Sequence, residues 1–170
     1  MHKTTFPNDL WFDLEALVNT AQPDTIALIG DYPEDFLDSY LSQRELIGKS
    51  VLLKQVSSSD APSMESPSDL VIMVNVLEQF DKQGGTLILG RMRDVMSRQF
   101  CVCVPLAGAD NNGWSLSELL ALGLRRVSQY QVDDMPYGLF KFSLNDYKST
   151  PDWLNADNWA NPELWGKYWW

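Results

Sequence analysis

The chain is poor in the residues that most often carry chemistry. Its 170 residues include one histidine, His2, and two cysteines, Cys101 and Cys103. A Ser-His-acid set cannot be built on a single histidine beside the N-terminus. Two cysteines fall short of the four ligands of a structural zinc site, so no metal is expected. Two positions apart on a strand, they point to the same face, where a disulfide would be badly strained, and buried core thiols are the better reading. No apolar run approaches the roughly 20 residues of a membrane-spanning helix. The first nine residues lack the apolar centre of a secretory signal, which makes the cytoplasm the expected location. Neither G-x-G-x-x-G nor G-x-x-x-x-G-K-[ST] occurs, so no standard phosphate-binding glycine loop is present.

Positive charge is also short, with 13 Lys and Arg against 23 Asp and Glu, a net of −10. The excess is uneven: residues 1–40 carry one Lys and eight acids, whereas 41–100 hold seven of each sign. An acidic surface repels phosphate backbones and anionic membranes, which disfavours nucleic acid and membrane as partners. A basic protein partner would be tolerated, and solubility alone accounts for the charge equally well.

What is present is an alternation of strands and helices over a length that suits one domain. Residues 1–24 begin with a helix over 8–19, where Leu10, Leu14, Leu17 and Val18 share a face and Asp13 and Glu15 face water. A short apolar strand, 25–29, ends at Gly30. Pro33 opens a second helix with Phe36, Leu37, Tyr40 and Leu41 as its buried stripe. A β-rich run over 50–56 leads into 57–68, rich in Ser and Pro and free of apolar period, which reads as an exposed mobile loop.

The stretch 69–106 is the organising unit. Leu70–Val74 and Phe100–Val104 are continuous apolar runs, as in strands covered on both faces. Between them Asp81 caps a helix whose Ile88, Met92, Val95 and Met96 share a face, with Asp94 and Arg98 paired outside. Beyond a polar loop at 107–113, Ser115-x-x-Glu118 has the form of a capping box for a helix ended by Gly123. The runs 125–132 and 138–144 alternate and are joined by a short connection, which predicts an antiparallel hairpin. The fold class is therefore α/β: one three-layer Rossmann-like domain, with a mostly parallel sheet that ends in an antiparallel hairpin. Residues 25–144 form the core. Residues 145–170 form a tail with five of the seven tryptophans, expected to pack on the core.

With this order laid out, 69–80 (DLVIMVNVLEQF) resembles the fourth strand and following turn of the class I S-adenosylmethionine-dependent methyltransferases. The hairpin is similar to that family's sixth and seventh strands. The resemblance covers most of 25–144, and the whole chain also resembles a small bacterial family of unknown function. It implies a turn beside the cofactor and the reacting methyl, with Gln79 where many relatives have His. At the first strand the family has acid-x-Gly-x-Gly-x-Gly. Here 28–34 reads LIGDYPE: only Gly30 matches, Leu28 replaces the acid, and Tyr32 and Pro33 bring bulk. The acid that binds the ribose hydroxyls is missing after the second strand, where Asp60 is the nearest carboxylate.

Candidate site residues follow from position. Asn75, Glu78 and Gln79 lie past a central strand, where open α/β sheets bind ligands. Gly30 and Asp31 are the cofactor-side candidates, although Asp31 also suits a helix cap. Trp169 and Trp170 are candidates for a protein partner. Two functions are expected from this pattern. One is a methyltransferase-like interaction or regulatory module without catalysis and without a cofactor. The other is a divergent methyltransferase that uses S-adenosylmethionine on an unknown substrate.

Overall fold

A computed structural model describes residues 6–106 and 113–144. Strands Thr25–Gly30 (β1), Leu52–Val56 (β2), Ser68–Val74 (β3), Ser97–Pro105 (β4), Arg125–Val132 (β5) and Met135–Ser143 (β6) form one sheet in the order β2-β1-β3-β4-β6-β5. The first four run parallel, and β6 is antiparallel to both β4 and β5. The strand that resembles the family's fourth is thus third in this chain. The segment before it holds a 3-10 turn, Ser58–Ser63, and no strand.

Two apolar layers sandwich the sheet, and the period-2 alternation of strand side chains explains both. Ile26, Leu28, Leu70, Ile72, Cys101 and Cys103 face helices Asn8–Ala21 (α1) and Asp38–Leu46 (α2). Ala27, Ile29, Val71, Met73, Phe100 and Val102 face helices Lys82–Arg91 (α3) and Leu116–Ala121 (α4). A strand buried on both faces reads as a continuous apolar run, which is why 70–74 and 100–104 stood out. The two cysteines are free thiols in the α1–α2 layer. Burial pushes the Cys101 thiol up to about 12 and raises Cys103 as well, so neither supplies a thiolate at neutral pH.

Several expectations hold locally. Asp81 accepts from Gly84 N at 2.7 Å, and Ser115 and Glu118 complete a capping box. Others change for tertiary reasons. Asp13 accepts hydrogen bonds from Ser128 and Tyr130, which ties α1 to β5, and Phe12 is the exposed neighbour. The second helix begins at Asp38, because 33–37 fold into turns in which Phe36 N donates to Pro33 O and Asp38 N to Asp35 O. The Ser-rich segment 57–68 is anchored: Ala61 and Met64 join the core, and Arg91 donates to the Met64 carbonyl at 2.7 Å. α3 gives way to a π turn, Met92–Met96, which rotates Val95 out to 61% exposure. Arg98 then lies in β4 within 4.0 Å of Asp69, while Asp94 bonds to Arg93. The polar loop 107–112 and the Trp-rich tail lie outside the described residues.

The hairpin is tighter than the sequence suggests. Met135 already pairs with Val132, leaving Asp133 and Asp134 as a two-residue turn with φ of 46° and 63°. Two left-handed residues make a type I′ turn, which matches the twist of the strands it joins. Asp tolerates that region at some cost and Gly at none. Asp134→Gly is expected to raise stability by about 0.5–1 kcal/mol, read as a shift in the urea midpoint at unchanged slope.

Candidate functional site at the ends of β1 and β3

Neighbouring strands β1 and β3 send the chain to opposite sides of the sheet, β1 toward β2 and β3 toward β4. Their C-terminal ends therefore form the switch point at which open α/β sheets bind ligands. Gly30 closes β1 opposite Val74. Its φ is +92°, and a Cβ there would stand 1.9 Å from the Val74 carbonyl oxygen and 2.9 Å from Val76 Cγ2. The lack of a side chain at Gly30 thus serves the approach of the chain to itself. Asp31 N then donates to Val74 O at 3.0 Å.

Asn75 follows with φ of 56°, a left-handed conformation that Asn accepts more readily than most residues. Its side-chain Nδ2 donates to Asp31 Oδ2 at 2.7 Å, and its carbonyl accepts from Gln79 Nε2 at 3.1 Å. The cap of α2 is Leu37, so Asp31 braces Asn75 in place of the helix-cap role. Sequence-predicted Gly30, Asp31, Asn75 and Gln79 are thereby brought together. Tyr32, beside them, packs against the α1–α2 layer, and burial raises its hydroxyl pKa.

Glu78 joins the same end of the sheet. The residue keeps access to solvent, yet the chain packed around its carboxyl strips enough water to push it up to about 7, with Asp31 adding repulsion. Tyr137 on β6 is pushed up to about 12, by burial first and then by the charges of Glu78, Cys103 and Asp133. The site is therefore acidic, and a proton held by Glu78 is in play near neutral pH.

Sequence reasoning missed the neighbouring recess. A cavity of about 300 Å³ is lined by Leu77, Glu78, Phe80, Lys82, Trp114 and Met135, among others. Lys82 Nζ bonds both Glu118 oxygens at 2.6 and 2.7 Å and sits 5.3 Å from the Trp114 ring centre. That ion pair holds the Glu118 carboxyl down to about 2. The signal was available in Gly85, a glycine inside a helix: a Cβ there would meet the Trp114 ring at 2.7 Å.

S-adenosylmethionine, which the resemblance implies, fits the present residues poorly. The bare face of Gly30 is occupied by Val74 and Val76. Past β2, Asp60 accepts from the Ser57 hydroxyl at 2.9 Å and lies within 3.5 Å of Ser59 Oγ, with its backbone folded into the 3-10 turn. Trp169 and Trp170 lie outside the described residues. Among the described residues no group of three or more His, Cys, Asp and Glu could hold a metal ion, and no helix is long and apolar enough to cross a membrane.

Comparison with known proteins places these observations. A family model, described as a family of unknown function (DUF6231), matches residues 8–170. No curated protein matches the sequence. The fold is that of class I methyltransferases. It is similar to N-methyltransferase NodS from Bradyrhizobium japonicum WM9, solved with S-adenosyl-L-homocysteine, at 11% identity and a TM-score of 0.57, covering 83% of this chain and 88% of that one. It is also similar to TehB from Haemophilus influenzae, at 9% identity and a TM-score of 0.51, covering 82% of this chain and 62% of that one.

Two outcomes test the geometry. Gly30→Ala should cost at least about 2 kcal/mol, from overpacking and left-handed strain together, measured by urea denaturation without any ligand. Glu78 has a folded pKa raised above the ordinary carboxylate value of 4.5 to about 7. Its stabilising contribution is therefore complete below pH about 4.5 and is lost as pH rises through about 7. Glu78→Gln should leave the melting temperature higher than wild type at pH 8 and equal or lower at pH 5.

Proposed function

The chain belongs to this family of unknown function, and we propose that it is a methyltransferase-like protein that does not catalyse methyl transfer and works as a protein-interaction or regulatory module. One observation carries the reading. The switch point, where a cofactor would need open backbone, is spanned by the chain's own contacts: Gly30 against Val74 and Val76, Asp31 N on Val74 O, and Asn75 on Asp31. Opening it would cost two hydrogen bonds and the packing of Val76, a fully buried side chain. The missing ribose acid supports the same reading. Trp169 and Trp170 are the residues proposed to meet a protein partner, since Trp dominates binding hot spots.

A divergent methyltransferase is the second reading, and Glu78 favours it. A carboxyl poised near pH 7 beside Asn75 and Gln79 is the kind of group that could accept a proton from a substrate nucleophile as its methyl arrives. S-adenosylmethionine would then supply the methyl, as the complex of NodS with the demethylated cofactor is consistent with for that protein.

Calorimetric titration of the full chain with S-adenosylmethionine and S-adenosylhomocysteine separates the two. The first reading expects no saturable heat and no thermal shift. Saturable binding at micromolar affinity that is lost in Asn75→Ala would overturn it in favour of the second.

A further inference from the structure

The recess beside Glu78 holds a charge that no cation of the described chain answers. Its volume of about 300 Å³ lies between the turn after β3, the start of α3, Trp114 and the first residue of β6. That is the lower end of the range for small-molecule sites, and it equals the share of about ten water molecules. A ligand that fills it has about ten non-hydrogen atoms. Leu77, Phe80, Trp114 and Met135 give it apolar walls, and Glu78 and Lys82 are the charged residues on it. The walls are set in advance. α3 comes so close that a Cβ at Gly85 would meet the Trp114 ring at 2.7 Å, and Trp114 N donates to Pro105 O at 2.9 Å.

The two charges differ in what they are free to do. Lys82 Nζ is bonded to both oxygens of Glu118, which satisfy it. Asp81, next to it in sequence, accepts from Gly84 N as the cap of α3. Glu78 has no such partner, and Asp31 adds a second negative charge nearby. The chain around the Glu78 carboxyl strips it of water, and its pKa of about 7 is that of a desolvated carboxylate lacking a cation.

These features select a ligand by charge and shape. A carboxylate or phosphate would be repelled by Glu78 and would have to displace Glu118 from Lys82. A neutral apolar molecule would leave the Glu78 carboxylate unpaired and more deeply buried, which is costly. An ammonium on a short apolar body meets both demands. It forms a charge-assisted hydrogen bond with Glu78, and its body lies against Leu77, Phe80 and Met135. We propose that this recess binds a small primary amine with an apolar body about the size of one aromatic ring, held by its ammonium on Glu78. The site needs neither S-adenosylmethionine nor methyl transfer, so it stands under either reading of the function.

Calorimetric titration of the full chain with phenethylamine, at pH 8 and without S-adenosylmethionine, is the test. At that pH the amine is charged and most of Glu78 is ionised. Saturable one-to-one binding is expected. The alcohol 2-phenylethanol, with the same body and no charge, should bind at least about tenfold more weakly, and phenylacetate more weakly still. Glu78→Gln should weaken the amine at least about tenfold and leave the alcohol unchanged. Met135→Lys, at a half-exposed residue of the rim, should also abolish amine binding by bringing a competing ammonium to the recess. No saturable heat from phenethylamine overturns the proposal. So does an amine that binds no better than the alcohol. Affinity that survives either variant overturns it as well, because the amine would then be held by another acid of the chain.

Discussion

The approach of Gly30 to the Val74 carbonyl governs the upper end of this sheet. β1 and β3 are adjacent central strands whose connections leave in opposite directions, and in such a sheet the gap between them is where a ligand enters. Removing the Cβ at Gly30 lets the two strand ends converge until one more backbone hydrogen bond forms, from Asp31 to Val74. The chain must then reverse at once. Asn75 does so in a left-handed conformation, and its amide is the group that reaches back to Asp31. Each step requires the one before it: without the close contact there is no Asp31 bond, and without the turn at Asn75 there is no brace.

This order of dependence changes what a surviving glycine means. In a cofactor-binding loop glycine keeps backbone open to a ligand, and several are needed because the ligand is long. A single glycine whose missing side chain is already matched by a carbonyl at 1.9 Å from the would-be Cβ answers to the protein itself. The same holds for Asp31, whose carboxylate receives an internal amide, and for Asp60, which receives a serine hydroxyl. The polar groups nearest the places a nucleotide cofactor would touch are engaged with their own chain. Glu78 is different: among the described residues no other side chain bonds to its carboxyl, and it carries a raised pKa, which is why it alone sustains the catalytic alternative.

The sequence made the layered architecture readable because burial on both faces leaves no polar alternation: 70–74 and 100–104 could be little else than central strands. Caps were readable for a similar reason, since Asp81 and Ser115 act on backbone only three residues away. What escaped was non-local. Asp31 and Asn75 are 44 residues apart in sequence, as are Thr25 and Asp69, whose reciprocal bonds lock the other end of β1 to β3. Asp13 looked solvated on its helix and is claimed by Tyr130 from a distant strand. The Ser-rich segment looked free because its anchors, Ala61 and Met64, are two small contributions to a core built by other elements. Val95 obeyed helical spacing, and the spacing itself changed when α3 passed into a π turn.

The resemblance to methyltransferases and the departure from them are then two aspects of one sheet. Its middle, where β1, β3 and β4 are covered on both faces, is under packing constraints that any function must respect. Its ends and edges are free of those constraints, and there this chain has its own solutions: a switch point spanned by the chain's own contacts, a 3-10 turn between β2 and β3, and, among the described residues, a β2 that pairs with β1 alone.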